Sequence, residues 1–145
     1  MHDSLGSEGQ GRTRARKIGY WIITGLLVAE LLTGGIWDVV RTSYVVAVVI
    51  RLGYPLCVLT IVGVWKLLAV PALLAPGMGL LKEWAYAGVF FEMTGAAASH
   101  AASGEYREAI APLLIAALVV VSWWLRPASR RCGSTPVAAE AQEAR

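Results

Sequence analysis

Three ionisable residues lie in the middle of long apolar stretches of the chain. Glu30, Lys66 and Glu92 are each flanked on both sides by mostly apolar residues. A charged side chain at the centre of a bilayer costs roughly 2.5–3.5 kcal/mol, so such residues face a protein interior and are functional candidates by default. Two carboxylates and one ammonium can form a polar clasp between helices, a proton site, or a polar anchor for a lipophilic ligand. The sequence leaves these roles open.

The spacing of these residues predicts that they meet. If the helices alternate in direction and rise about 1.5 Å per residue, Glu30, Lys66 and Glu92 lie about 18, 15 and 14 Å from the same edge of the bilayer, near its midplane. Gly34 and Gly63 lie about one turn from Glu30 and Lys66, and small residues at such positions let helices approach closely. We therefore expect Lys66 to contact Glu92, with Glu30 as a third member of the cluster.

Glu92 also shares a helical face with a stripe of small residues. The stripe consists of Gly88, Gly95, Ala96 and Ser99. Because small side chains let two backbones come close, this pattern predicts a close contact with another helix.

His100 and Trp65 are further candidates for a ligand site. His100 follows Glu92 by about two helical turns, nearer the outer face, where it could bond a ligand head group, a loop carbonyl or Ser99. Trp65 lies near the midplane beside Lys66, where it could line a pocket or pack against lipid or another helix. The other tryptophans lie near the ends of the apolar stretches, as is typical of aromatic belts.

Cysteine and histidine usage argues against metal or haem chemistry. Cys57 and Cys132 are expected at opposite ends of the structure, and the chain has no Cys-x-x-Cys pair. His2 lies in the N-terminal tail, which leaves His100 without a second histidine for haem ligation within one chain. We therefore expect no metal site, and the residues favour a non-catalytic protein over an enzyme.

The composition places these residues in a membrane protein. Of 145 residues, 57% are hydrophobic and 16% are charged, and the mean hydropathy is +0.58, whereas soluble domains are about 45–50% apolar. The apolar residues form four blocks long enough for helices to cross a bilayer. Their expected bounds are 18–37, 56–75, 83–102 and 108–126. The sequence thus predicts an all-α fold, a four-helix transmembrane bundle with up-down-up-down connections.

The connections between the blocks support this arrangement. Breaker residues at Pro76–Gly79 and Ser103–Tyr106 make two short connections, so consecutive helices should pack antiparallel. The stretch Thr42–Pro55 is apolar but contains Gly53. We interpret it as a short interfacial helix between the first and second spans, with Arg51 snorkelling towards head groups. The alternative is one long, kinked second helix.

Basic residues predict the orientation of the protein in the membrane. They concentrate before the first block, in the second connection and after the last block, so both termini should be cytoplasmic in a multi-pass protein of the cell membrane. Residues 1–16 and 128–145 are polar, small or charged and are expected to be disordered tails. Because the juxtamembrane clusters account for most of the net charge of +3, we expect the lipid bilayer and no nucleic acid as a partner.

At these positions the sequence also resembles a known family. The motifs, in chain order, are "GYW" and "TG" within Gly19–Gly25, "LGYP" at Leu52–Pro55, "GVWKLL" at Gly63–Leu68, "LLAPG" at Leu73–Gly77, "KEWAYAG" at Lys82–Gly88, "TGAAASH" at Thr94–His100 and "SWWLRP" at Ser122–Pro127. This succession is similar to the DoxX-like family of small four-helix membrane proteins. The resemblance implies one domain over residues 17–127.

The resemblance also implies a role. Relatives named for DoxX are associated with membrane redox systems, including a thiosulfate:quinone oxidoreductase subunit. The first hypothesis is a non-catalytic bacterial inner-membrane subunit with a membrane redox partner. It would bind a quinone or another lipophilic molecule through Lys66, Glu92 and His100, and Glu30 would set the protonation of these residues. The second is a proton-coupled transporter acting as a homo-oligomer, and the third is a membrane assembly factor. A lipophilic pocket that reaches Lys66 would favour the first hypothesis. A hydrated path that passes Glu92 and opens to both faces of the membrane would favour the second, and a tightly packed core with an external apolar groove would favour the third.

Overall fold

The computed structural model of the protein describes residues 4–127 and residue 130, and these form helices and turns without strands. The five α-helices are α1 (Ser4–Val40), α2 (Ser43–Arg51), α3 (Cys57–Leu74), α4 (Gly79–Ala102) and α5 (Ile110–Leu125). The predicted all-α class is confirmed. The separate helix α2 is also confirmed, and the alternative of one long, kinked second helix is wrong.

The helix bounds differ from the expected ones mainly at the first helix. α1 begins at Ser4, inside the stretch 1–16 that the sequence analysis treats as a tail. No proline lies between Ser4 and Val40, so no proline interrupts the helix between its start at Ser4 and the apolar block. The predicted C-terminal tail, 128–145, lies outside the described residues except for residue 130.

Left-handed residues end three of the helices. Arg41 (φ 56°), Gly53 (φ 80°) and Gly104 (φ 78°) follow α1, α2 and α4. After Gly104, the Glu105 backbone N–H donates to the His100 carbonyl at 2.8 Å, which satisfies a carbonyl that the helix end would leave unpaired. These stops make the connections short and turn the chain back on itself.

Four long helices pack in a ring. α1 packs against α3 and α5, and α4 packs against the same two helices, while α2 lies against α3. Arg41 near the end of α1 bonds Thr60 near the start of α3, and Glu83 near the start of α4 bonds Arg126 just after α5. These pairs show that α1 and α3, and likewise α4 and α5, run antiparallel. For α4 and α5 this was expected from the short connection between them.

Apolar side chains from all four long helices fill the centre of the ring. The buried cluster comprises Leu27, Leu31, Ala69, Val70, Leu73, Tyr86, Val89, Met93, Ala116 and Val119. Two described segments, Arg14–Val40 and Cys57–Leu74, are long and apolar enough to cross a membrane, and α5 is a shorter apolar helix of 16 residues. The core holds the four helices in register, and the polar groups described next lie on one side of it.

Candidate functional site

A buried ion cluster, Asp38, Lys66 and Glu92, joins α1, α3 and α4. Lys66 Nζ donates to Asp38 Oδ2 at 3.0 Å and lies 3.2 Å from Glu92 Oε1. The side chains of Lys66, Asp38 and Glu92 are 11%, 9% and 21% exposed. One ammonium thus serves two carboxylates in a mostly apolar surrounding, where ion pairs are screened little by solvent. The predicted contact between Lys66 and Glu92 is confirmed.

A close crossing of α1 and α3 positions this cluster. A Cβ on Gly63 would lie 2.9 Å from the Gly35 carbonyl oxygen and 2.8 Å from Val39 Cγ2. The two helices therefore pack backbone to backbone at Gly35 and Gly63, which is the close approach that small residues allow. Asp38 lies beside Gly63, because a Cβ on Gly63 would be 2.9 Å from Asp38 Cβ. Lys66 follows Gly63 by about one turn on α3, so its long side chain reaches Asp38 Oδ2 at 3.0 Å.

Glu30 lies beside the ion cluster. The position that a Cβ on Gly34 would occupy is 3.2 Å from both Glu30 Oε1 and Lys66 Nζ, so the two side chains flank the same spot. Glu30 Oε2 is buried and has no hydrogen-bond partner among the described residues. The structure thus brings all three predicted midplane residues together, as expected.

Asp38 is the member of the cluster that the sequence analysis missed. Asp38 follows Trp37 near the end of α1, and in the sequence a polar residue at a helix end is typical of an exposed position. The available signal was its spacing, because Glu30, Gly34 and Asp38 recur every four residues and share one helical face. Only the register of α1 against α3 shows that this face meets Lys66.

A cavity of about 850 Å³ opens beside these side chains. Its walls come from all five helices and from the segments that join α2 to α3 and α4 to α5, and they are mostly apolar, as is typical of sites for small lipophilic molecules. The polar and charged residues on its lining are Glu30, Thr33, Asp38, Tyr44, Arg51, Tyr54, Lys66, Glu92, Ser99, His100 and Glu108. The cavity therefore combines an apolar volume with one convergent group of charges.

His100 and Arg51, which both line this cavity, contact the same carboxylate, that of Glu105. His100 Nδ1 lies 2.8 Å from Glu105 Oε2, and Arg51 Nε lies 2.5 Å from Glu105 Oε1. The predicted bond from His100 to a loop carbonyl or to Ser99 is wrong. His100 Nδ1 contacts the Glu105 side chain instead, and the Ser99 hydroxyl bonds the Tyr54 hydroxyl. Arg51 also pairs with Glu105 at the end of α2 while its side chain stays 52% exposed, and its snorkelling towards head groups stays a prediction.

Trp65 and the small-residue stripe of α4 each differ from one of their predicted roles. Trp65 is 66% exposed and does not line the cavity, so the pocket-lining role is wrong and packing against lipid stays a prediction. A Cβ on Gly88 or Gly95 would meet nothing within 4 Å, so the small-residue stripe of α4 makes no close contact with another helix there. Gly95, Ala96 and Ser99 line the cavity instead. Small side chains leave unfilled volume beside a helix, and on α4 this volume forms part of the cavity.

A second buried polar group lies beyond the apolar core. The Thr24 and Tyr86 hydroxyls each lie 2.9 Å from Ser122 Oγ, and all three residues are buried. At the same end Lys82, which precedes the predicted third span, donates to the Ala75 carbonyl. Burial and the nearby guanidinium groups of Arg130 and Arg126 lower the pKa of Lys82. These contacts link helices and satisfy the end of α3.

Comparison with known proteins gives one match. Residues 22–122 match the sequence profile of the DoxX-like family. The chain belongs to the DoxX-like family. The matched range includes Glu30, Asp38, Lys66, Glu92 and His100, so the whole candidate site of this DoxX-like protein lies inside the family domain. No curated protein and no solved structure shows detectable similarity to the chain.

The donor set of the site does not resemble a metal centre. Within the described residues no three His, Cys, Asp or Glu side chains are grouped so that they could hold a metal ion, and the ammonium of Lys66 occupies the space between the carboxylates. What the arrangement offers chemically is hydrogen bonding: carboxylate acceptors and an ammonium donor, held at the side of an apolar cavity.

Proposed function

We propose that this DoxX-like protein is a four-helix transmembrane bundle that binds a lipophilic small molecule, such as a quinone, in the cavity beside Lys66. The single observation that carries this proposal is the cavity of about 850 Å³, whose mostly apolar walls lead to Lys66 and its carboxylates. Ligand pockets commonly have volumes of roughly 300–1,000 Å³, apolar walls and a few polar groups that orient the ligand.

The proposed topology places both termini in the cytoplasm of a bacterial cell. The family assignment supports a membrane location, and the excess of basic residues in the N-terminal part of α1, at the start of α4 and after α5 supports this orientation. α4 has 24 residues and α5 has 16. At about 1.5 Å per residue α5 is about 24 Å long, and a short span can be accommodated by local thinning of the bilayer.

In this proposal the protein is a binding subunit for a membrane redox partner. The two cysteines, Cys57 and Cys132, do not form a Cys-x-x-Cys motif, so the sequence provides no redox-active dithiol motif for electron transfer by the chain itself. The proposed role of the ion cluster is to hold the polar end of the ligand while the apolar walls hold the rest. The partner would carry out the electron transfer.

The buried core favours binding over the alternative of proton-coupled transport. Leu27, Val70, Val89 and Val119 belong to the apolar cluster. They lie along their helices between the cavity and the polar group at Ser122. A transport path needs polar or hydrated contacts towards both faces, and this layer offers none. The cavity inside the protein likewise favours ligand binding over a pure assembly factor.

Native mass spectrometry of the protein released from nanodiscs tests the proposal. The expected result is a co-purifying lipophilic molecule, which extraction and chromatography then identify. Ala96→Phe should abolish this mass shift, because Ala96 lines the cavity and the larger ring fills it. Ala98→Phe is the matched control, since Ala98 is exposed on the same helix. A ligand that stays bound in Ala96→Phe, or no ligand in the wild type even after quinone is added, would refute the proposed site.

A further inference from the structure

Gly34 lies beside the ends of two polar side chains of the cavity. A Cβ on Gly34 would lie 3.2 Å from Glu30 Oε1, 3.2 Å from Lys66 Nζ and 3.7 Å from Lys66 Cδ. Gly34, Glu30 and Lys66 all line the cavity, so the spot beside Gly34 between the ends of these two side chains faces it. We call this spot the Gly34 seat.

The hydrogen-bonding state of the two flanking groups limits what can occupy the seat. Lys66 Nζ has three hydrogens, and two of them serve Asp38 and Glu92, which leaves one for a ligand. Glu30 contributes only acceptor oxygens when ionised, and its Oε1 is the oxygen that lies beside Gly34. An occupant of the seat must therefore accept from Lys66 and donate to Glu30.

We infer that the ligand of the cavity is a lipophilic molecule with a hydroxyl group, a phenol or quinol, and that this hydroxyl occupies the Gly34 seat. A hydroxyl oxygen accepts from Lys66 Nζ while its hydrogen is donated to Glu30 Oε1. A quinone carbonyl or an ether oxygen accepts only, and would leave Glu30 without a donor. The inference rests on the proposed function and narrows it to the hydroxyl form of the ligand.

The rest of the cavity suits the remainder of such a molecule. Val45, Val48 and Val49 of α2 line one side, and Leu59 and Ile115 line others. These side chains offer no hydrogen bonds and fit an aromatic ring with an alkyl tail. The polar seat at one place and apolar walls elsewhere orient the hydroxyl towards Gly34.

A matched pair of probes tests the seat on the detergent-solubilised full-length protein. Unlabelled para-nonylphenol and its methyl ether compete with radiolabelled para-nonylphenol in a scintillation proximity assay. The two compounds share the ring and the tail, but the ether cannot donate. We expect the phenol to bind at least about tenfold more tightly, as one hydrogen bond to a charged group provides.

Two variants locate the preference at the seat. Gly34→Ala fills it, and the nearest atoms are the ends of two flexible side chains, so the fold should tolerate the change while the preference for phenol falls below about threefold. Gly88→Ala is the matched control, because Gly88 does not line the cavity and an added Cβ there meets nothing within 4 Å. It should keep the preference. Glu30→Met removes the acceptor and should also abolish the preference.

The outcomes separate this inference from the proposed function. Equal binding of phenol and ether, or a preference that survives Gly34→Ala or Glu30→Met, overturns the seat and leaves the cavity as a binding site. If neither compound competes or binds, the proposed function is overturned together with the seat.

Discussion

Removal of Lys66 tests the energetics of the ion cluster most directly. Lys66→Met keeps much of the side-chain volume but leaves Asp38 and Glu92 without their shared cation, and these carboxylates are only 9% and 21% exposed. Loss of one partner of a buried ion pair costs about 3–5 kcal/mol. We expect the free energy of unfolding to fall by about 4 kcal/mol, or less where a stranded carboxylate takes up a proton.

The two carboxylates should differ in their effect. Asp38→Asn leaves Lys66 its bond to Glu92 and should cost about 2–3 kcal/mol, because the lost charge-assisted bond is the shorter and more buried one. Glu92→Gln removes the more exposed charge and should cost about 1–2 kcal/mol. The double variant Lys66→Met/Asp38→Asn should lose less free energy of unfolding than the two single variants lose together. We expect the difference to be at least about 1 kcal/mol, because the two side chains are in contact.

Unfolding in mixed detergent micelles, followed by tryptophan fluorescence, measures these values. Lys17→Met is the matched control, because Lys17 is exposed on α1 and its loss should change stability by no more than about 0.5 kcal/mol. A cost below about 1 kcal/mol for Lys66→Met, or additive effects in the double variant, would show that the cluster contributes no coupling energy and that the reasoning is wrong.

Three further predictions concern packing and topology. Gly63→Ala should lower the free energy of unfolding by about 1–3 kcal/mol, since its Cβ would lie within 3 Å of α1. Gly88→Ala is the control: its Cβ would meet no atom within 4 Å, so in the same assay it should be neutral or stabilising. A cysteine at Ser103 should react with an impermeant thiol reagent added to whole cells and one at Gly77 should not, and the reverse pattern would invert the topology. Arg51→Gln should raise amide hydrogen exchange in α2 without affecting α5, because the Glu105 contact ties α2 to the ring; unchanged exchange in α2 would contradict this.

Much of the candidate site could be predicted because its signals are local in sequence. A charge inside an apolar stretch is conspicuous, and helical rise alone places Glu30, Lys66 and Glu92 at similar depths. The contact between Lys66 and Glu92 followed from this, and the structure confirms it. Asp38 could not be predicted in the same way, because its position at the end of α1 is equally compatible with solvent until the register of α1 against α3 is known.

The sequence by itself determined the all-α class, the family, the approximate positions of α2 to α5 and the contact between Lys66 and Glu92. Composition, breaker residues and helical rise act within a segment, so they can be evaluated without knowing how the segments pack. The tertiary structure alone decided where small residues lead to contact and where to space: Gly63 meets Gly35, whereas Gly95 lines the cavity. It also decided that Glu105 pairs with Arg51. The physical reason is that these outcomes depend on which faces of different helices oppose each other, and periodicity within one helix does not specify its partner.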